Sequence, residues 1–135
     1  MKKLFIDTAG WLALVNSGDA CHAQATQLYN QRFAAGWHFV THAGVMLEVG
    51  NGLARINSRH LAVQLKARLD RSSRVEIVSL TEAWIEDAWR LYAARPDKEW
   101  GAVDCLSFIL MEQMSLTEAL TTDHHFAQAG FIKLL

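Results

Sequence analysis

The chain contains one proline, Pro96, in 135 residues, and two cysteines, Cys21 and Cys105. One proline against 51% hydrophobic residues excludes a proline-rich linker or a low-complexity protein. Two cysteines without CxxC spacing exclude a disulfide scaffold and a dithiol redox motif. Each falls in a helical pattern and reads as a buried free thiol. Long apolar runs are also missing: residues 11–15 and 108–111 are far too short to cross a bilayer. Lys2 and Lys3 resemble the start of a signal peptide, but Asp7 interrupts the apolar run that would follow. A cytoplasmic protein without a membrane association is the expectation. A net charge of −1 excludes a molecule that binds nucleic acid by overall basicity.

What the chain does have is enough apolar sequence for one full core, so residues 1–135 read as a single domain. Strand and helix signals alternate. Strands are expected at 3–7, 37–41, 74–80, 118–121 and 131–134. Helices are expected from Gly10, then at 20–35, 43–55, after Asn57-Ser58, after Thr81, at 102–114, and after Asp123 until Gly130. Gly50 and Gly52 weaken the 43–55 helix by about 1 kcal/mol each relative to alanine. This order implies an α/β fold with a mostly parallel five-stranded sheet flanked by helices.

Four acids stand at the ends of apolar runs. Asp7 closes Leu4-Phe5-Ile6, Glu48 follows Val45-Met46-Leu47, Asp104 opens Cys105-Leu106-Ser107-Phe108, and Asp123 ends Leu120-Thr121-Thr122. A carboxylate is costly beside a core unless something pairs with it. Open α/β sheets also place their functional groups at the carboxyl ends of strands. Each acid has a plainer reading: Asp7 and Asp123 as caps of turns or helices, Glu48 as the polar side of an amphipathic helix, Asp104 as a first-turn anion favoured by the helix dipole. Their joint placement suggests one acidic cluster, and an acidic cluster suggests a bound divalent metal.

Charge is unevenly spread. Arg55, Arg59, Lys66, Arg68, Arg71 and Arg74 face one acid, Asp70, whereas residues 75–123 hold ten acids against Arg90, Arg95 and Lys98. The basic segment is either a solvated helix face or a stripe that tracks phosphates beside the acidic site. Among the five tryptophans, Trp100 lies near Asp104 and is the candidate to border the groove.

These motifs resemble a known family. Phe5-Ile6-Asp7-Thr8, Leu47-Glu48-Val49-Gly50-Asn51, the stretch from Lys98 through Asp104 to Phe108, and Thr121-Thr122-Asp123-His124-His125-Phe126 are similar, in order, to the acidic motifs of PIN domains. The length resembles that of the VapC-like ribonuclease toxins of prokaryotic toxin–antitoxin pairs. Two positions depart from the pattern: Ala9 and Gly101 stand where hydroxyl residues are common.

The resemblance implies a metal-dependent ribonuclease. Asp7, Asp104 and Asp123 would bind Mg²⁺ or Mn²⁺, with Glu48 sharing the site directly or through water. Hard carboxylate oxygens suit those ions better than zinc, and they would reverse the sign of a site that otherwise repels phosphate. A zinc reading of His124 and His125 is disfavoured on the ground that adjacent residues on a helix do not face each other. Thr8 and Thr122 are candidates to hold water or orient a carboxylate, or simply to satisfy local backbone groups. The resemblance also implies an RNA substrate and a cognate antitoxin as partners; the charge distribution offers Arg55, Arg59, Lys66, Arg68 and Arg71 as the RNA contacts, and the tryptophan and leucine content leads to the expectation of a two-fold homodimer. The alternatives are a catalytically inactive binding module on the same fold, and a phosphate-accepting receiver- or phosphatase-like domain. The latter lacks its acid pair here.

Overall fold

The computed structural model describes residues 1–135. Leu4, Phe5 and Ile6 are consecutive in β1 (Lys3–Ile6) and all fully buried, so both faces of the central strand are covered. Around β1 lie β2 (His38–His42), β3 (Val75–Val78), β4 (Glu118–Leu120) and β5 (Ile132–Lys133), in the order β3-β2-β1-β4-β5. Every adjacent pair is parallel, which goes beyond the mostly parallel sheet expected. The connections are helices: α1 (Thr8–Val15), α2 (His22–Ala34), α3 (Ala43–Gly52), α4 (Arg59–Arg71), α5 (Glu82–Ala94), α6 (Ala102–Gln113) and α7 (His124–Gln128).

Several boundaries differ from expectation for visible reasons. Helix α1 begins at Thr8 rather than Gly10, because Asp7 is already extended and the Trp11 N–H bonds the Asp7 carbonyl at 3.0 Å. Helix α3 stops at Gly52 rather than at residue 55, where two glycines have spent the helix propensity. Ser58 precedes α4 without capping it; its hydroxyl donates back to the Leu53 carbonyl at 3.0 Å. Thr81 does cap α5, accepting the Trp84 N–H at 3.2 Å. Cys105 is buried in α6, but Cys21 is only half-buried and sits just before α2.

A buried polar link ties α3 to α6. His42 is fully buried at the start of α3, and its Nδ1 accepts the Val45 N–H at 3.2 Å. Nε2 must therefore carry the proton, and it donates to the Ser107 hydroxyl at 2.8 Å. That hydroxyl donates in turn to the Val103 carbonyl at 3.0 Å. Burial holds the imidazole neutral, with its pKa lowered to about 4.

The strand order reverses direction on either side of β1, so the crevice between β1 and β4 is the sheet's topological switch point. Gly10 allows the closest approach there. A Cβ on it would lie 2.2 Å from the Leu120 carbonyl oxygen, which is backbone and cannot yield. Gly10→Ala is expected to destabilise the protein by at least about 1–3 kcal/mol. Urea denaturation checks this, and a midpoint equal to wild type would show that α1 can move away from β4.

Candidate active site

The four acids converge on that switch point. Asp7 follows β1, Glu48 lies on the exposed side of α3 after β2, Asp104 is in the first turn of α6, and Asp123 follows β4 and opens α7. The charges of Asp104 and Glu48 bear on Asp7, and that of Asp123 bears on Asp104. The structure thus brings the four acids to one crevice.

A chain of hydrogen bonds fixes the carboxylates. Thr8 Oγ1 donates to Glu48 Oε1 at 2.6 Å. Thr121 Oγ1 donates to Asp7 Oδ2 at 3.1 Å and accepts the Asp123 N–H at 3.0 Å. Asp123 Oδ1 accepts the His125 N–H at 2.9 Å, so Asp123 does cap α7. Asp104 Oδ2 accepts the Gly101 N–H at 2.9 Å. His125 Nδ1 lies 3.2 Å from Asp104 Oδ2 and 3.1 Å from Asp123 Oδ1. Asp7, by contrast, makes no side-chain cap to α1, so the plain capping role considered for it is not the one it has.

The hydroxyl that reaches Asp7 belongs to Thr121, whereas Thr122 is exposed. Two readings drawn from spacing fail outright. Trp100 does not border the cleft: it is buried, its Nε1 donates to Gln128 at 3.0 Å, and its ring packs edge-on against Phe108. His124 and His125 do meet, with ring centroids 4.4 Å apart, because they occupy the first turn of a short helix. With Asp123 they bring ligand atoms within 4.8 Å of one another. His124 is nevertheless largely exposed, whereas His125 is committed to the two aspartates.

The basic segment is not one stripe. Arg59 and Lys66 share one wall of a groove of about 870 Å³ between α3 and α4, floored by Met46, Val49 and Leu53. Lys66 pairs with Asp70 at 2.7 Å, and Arg59 donates to the Ala54 carbonyl at 2.8 Å. Arg68, nine residues beyond Arg59, projects from the opposite side of α4 at about 100° per residue. None of the four acids lines this groove. The acidic cleft is separate from it, and the two adjoin through α3, where Leu47 faces the groove and Glu48 the acids.

Electrostatics shows what the cleft is short of. Asp7 is pushed up from 3.8 to about 7, chiefly by burial, then by the charges of Asp104 and Glu48. The Thr8 N–H and the Thr121 hydroxyl oppose the rise. Asp104 is also raised, by burial and by Asp123, against the Gly101 N–H and His125. Thr8, Thr121 and His125 are the side chains that hydrogen-bond these carboxylates, and no lysine or arginine pairs with them. A cluster of hard anionic oxygens, buried at Asp7 and open at Glu48, without a lysine or arginine partner fits a divalent cation such as Mg²⁺ or Mn²⁺.

Comparison with known proteins identifies the arrangement. The family model of the PIN domain matches residues 4–132. The chain belongs to the PIN-domain family. It is 30% identical to the 23S rRNA-specific endonuclease VapC20 of Mycobacterium tuberculosis over 131 residues, 97% of each protein. The crystal structure of that protein, described as a sarcin–ricin loop cleaving toxin, superposes with a TM-score of 0.87 at 29% identity, covering 96% of this chain and 97% of the other. The PIN fold also matches VapBC2 of Rickettsia felis bound to promoter DNA (TM-score 0.68, 16% identity, 97% and 96% covered). FitAcB of Neisseria gonorrhoeae matches too, with a TM-score of 0.63 at 20% identity over 96% and 94% of the two chains. No helix of this PIN domain is long and apolar enough to cross a membrane.

The raised Asp7 carboxyl has a thermodynamic consequence. Between about pH 4 and pH 7 the folded protein keeps a proton that the unfolded chain releases, so metal-free stability falls as pH rises through that window. At about 1.4 kcal/mol per pKa unit, the loss above pH 7 amounts to a few kcal/mol. Asp7→Asn removes it. In metal-free buffer the variant is expected to melt above wild type at pH 8 and level with it below pH 4. Equal melting temperatures at both pH values would show that Asp7 carries no such penalty.

Proposed function

We propose that the acidic cleft is the active site of a divalent-metal-dependent ribonuclease, the toxin of a toxin–antitoxin pair. The observation that carries this is the gathering of Asp7, Glu48, Asp104 and Asp123 at the switch point of a PIN fold with no lysine or arginine among them. Asp7, Asp104 and Asp123 would hold Mg²⁺ or Mn²⁺, with Glu48 joining from the cleft mouth. The ion, when bound, supplies positive charge for the scissile phosphate and an activated water. Asp7 must surrender its proton to take part; its raised pKa opposes that release, and a cation beside it favours it. Thr8 and Thr121 hold Glu48 and Asp7 in fixed orientations, so less ordering is needed when ion and substrate arrive.

Similarity to VapC20 across 97% of both chains favours a structured ribosomal RNA loop as the substrate class. Arg55, Arg59, Lys66, Arg68 and Arg71 would contribute phosphate contacts from around α4, Lys66 only by sharing itself with Asp70. A cytoplasmic ribonuclease requires restraint, and the groove between α3 and α4 offers an antitoxin an apolar floor next to Glu48. A homodimer is favoured by Trp89 and Tyr92, which pair edge to face at 5.4 Å on α5 and are about half exposed.

The deciding assay is cleavage of a 23S rRNA fragment, with transfer RNA alongside, in Mg²⁺ or Mn²⁺. Asp7→Asn, Asp104→Asn and Asp123→Asn are each expected to lower the rate by at least roughly a hundredfold while the fold is retained. At a hundred times its dissociation constant, the ion should stabilise wild type by about 2.7 kcal/mol. Neither cleavage nor stabilisation in wild type would end the nuclease reading. In RNA-binding titrations across a range of salt concentrations, Arg55→Gln and Arg59→Gln should each flatten the salt dependence by about 0.7, the slope that one neutralised phosphate contributes.

The partner reading has its own check. Light scattering of the free protein is expected to report a dimer, and Trp89→Glu a monomer. Co-expression with a neighbouring small reading frame should yield an inactive complex. An active monomer with no such inhibitor would remove the toxin assignment and leave the nuclease.

A further inference from the structure

We propose that His125 is a positioning residue that clamps Asp104 and Asp123 together for the cation, without ligating it. The inference rests on the metal-site reading above and adds a residue that none of the four carboxylate positions includes.

The geometry is specific. His125 Nδ1 lies 3.2 Å from Asp104 Oδ2 and 3.1 Å from Asp123 Oδ1. Ionised carboxylate oxygens only accept hydrogen bonds, so a nitrogen between two of them must carry the proton. The Nδ1–H donates to Asp104 Oδ2 on α6, and the ring stands within charge-contact distance of Asp123 Oδ1 at the start of α7, so one residue holds acids from different parts of the chain. The ring has little freedom to leave, since its side chain is 17% exposed. Its backbone is fixed by the same acid it holds, because the His125 N–H donates to Asp123 Oδ1 at 2.9 Å.

The clamp occupies one oxygen on each aspartate. Asp104 Oδ2 also takes the Gly101 N–H, and Asp123 Oδ1 takes the His125 N–H, so protein donors concentrate on those two atoms. Asp104 Oδ1 and Asp123 Oδ2 are left for an ion. Without the clamp, two like charges at the cleft would repel and swing apart, and an ion would have to order both on binding. Donors that orient ligands in this way typically change metal affinity by about 10–100-fold when removed.

The test compares three substitutions by Mn²⁺ binding, read by calorimetry and by electron paramagnetic resonance, with a thermal melt on each variant. His125→Ala removes the donor and is expected to weaken Mn²⁺ binding at least tenfold. His125→Asn sets an amide N–H near the Nδ1 position and should recover most of that loss. His124→Ala, at the exposed neighbour, should bind as wild type does. Nitrogen hyperfine coupling to Mn²⁺ in wild type would make His125 a ligand and overturn the clamp. Undiminished binding by His125→Ala would overturn it as well, as would a folded His125→Asn no better than His125→Ala. Wild type that binds no Mn²⁺ would remove the metal-site reading itself, a result distinct from the other three.

Discussion

The arrangement depends on a buried carboxyl that the fold leaves uncompensated. Asp7 is buried at the end of the central strand with Asp104 and Glu48 close enough to help raise its pKa to about 7. Nothing in the fold neutralises it. The hydrogen bonds around it orient the carboxylates and offset part of the cost, but they cannot cancel like charges. A sheet that is parallel throughout, with its central strand covered on both faces, makes the surroundings rigid enough for those charges to persist. The fold thereby stores a preference for a cation, and that preference connects the architecture to phosphodiester chemistry.

The positions of the acids were readable because each follows or opens an apolar run, and apolar runs in an alternating chain become strands and buried helices. The order of the strands was not readable, yet any doubly wound sheet delivers the ends of its central strands to one crevice. The side chains that orient the acids were harder. In Thr121-Thr122-Asp123 either hydroxyl could have turned inward, and only the register of β4 against β1 selects Thr121. That threonine stands two residues before Asp123, a spacing typical of hydroxyl-capped turns, which was the available signal.

The failures have separate local causes. Adjacent residues diverge in the middle of a helix, but α7 is five residues long and its histidines stand in the first turn. The basic residues looked like a stripe when counted along the chain, whereas the helical repeat of α4 distributes them around its circumference. Trp100 seemed placed for the groove by its proximity to Asp104, but Gln128 satisfies its indole N–H and lets the ring join the core.

The buried link from His42 through Ser107 has a mechanical consequence for the cleft. It pins the first turn of α3 to α6 close to Asp104. Glu48 stands six residues along α3 from His42, an arm of about 9 Å at 1.5 Å per residue. At the far end of that arm the Thr8 hydroxyl holds Glu48 and Val49 is packed in the core, so α3 is tied down at both ends of the span that faces the cleft.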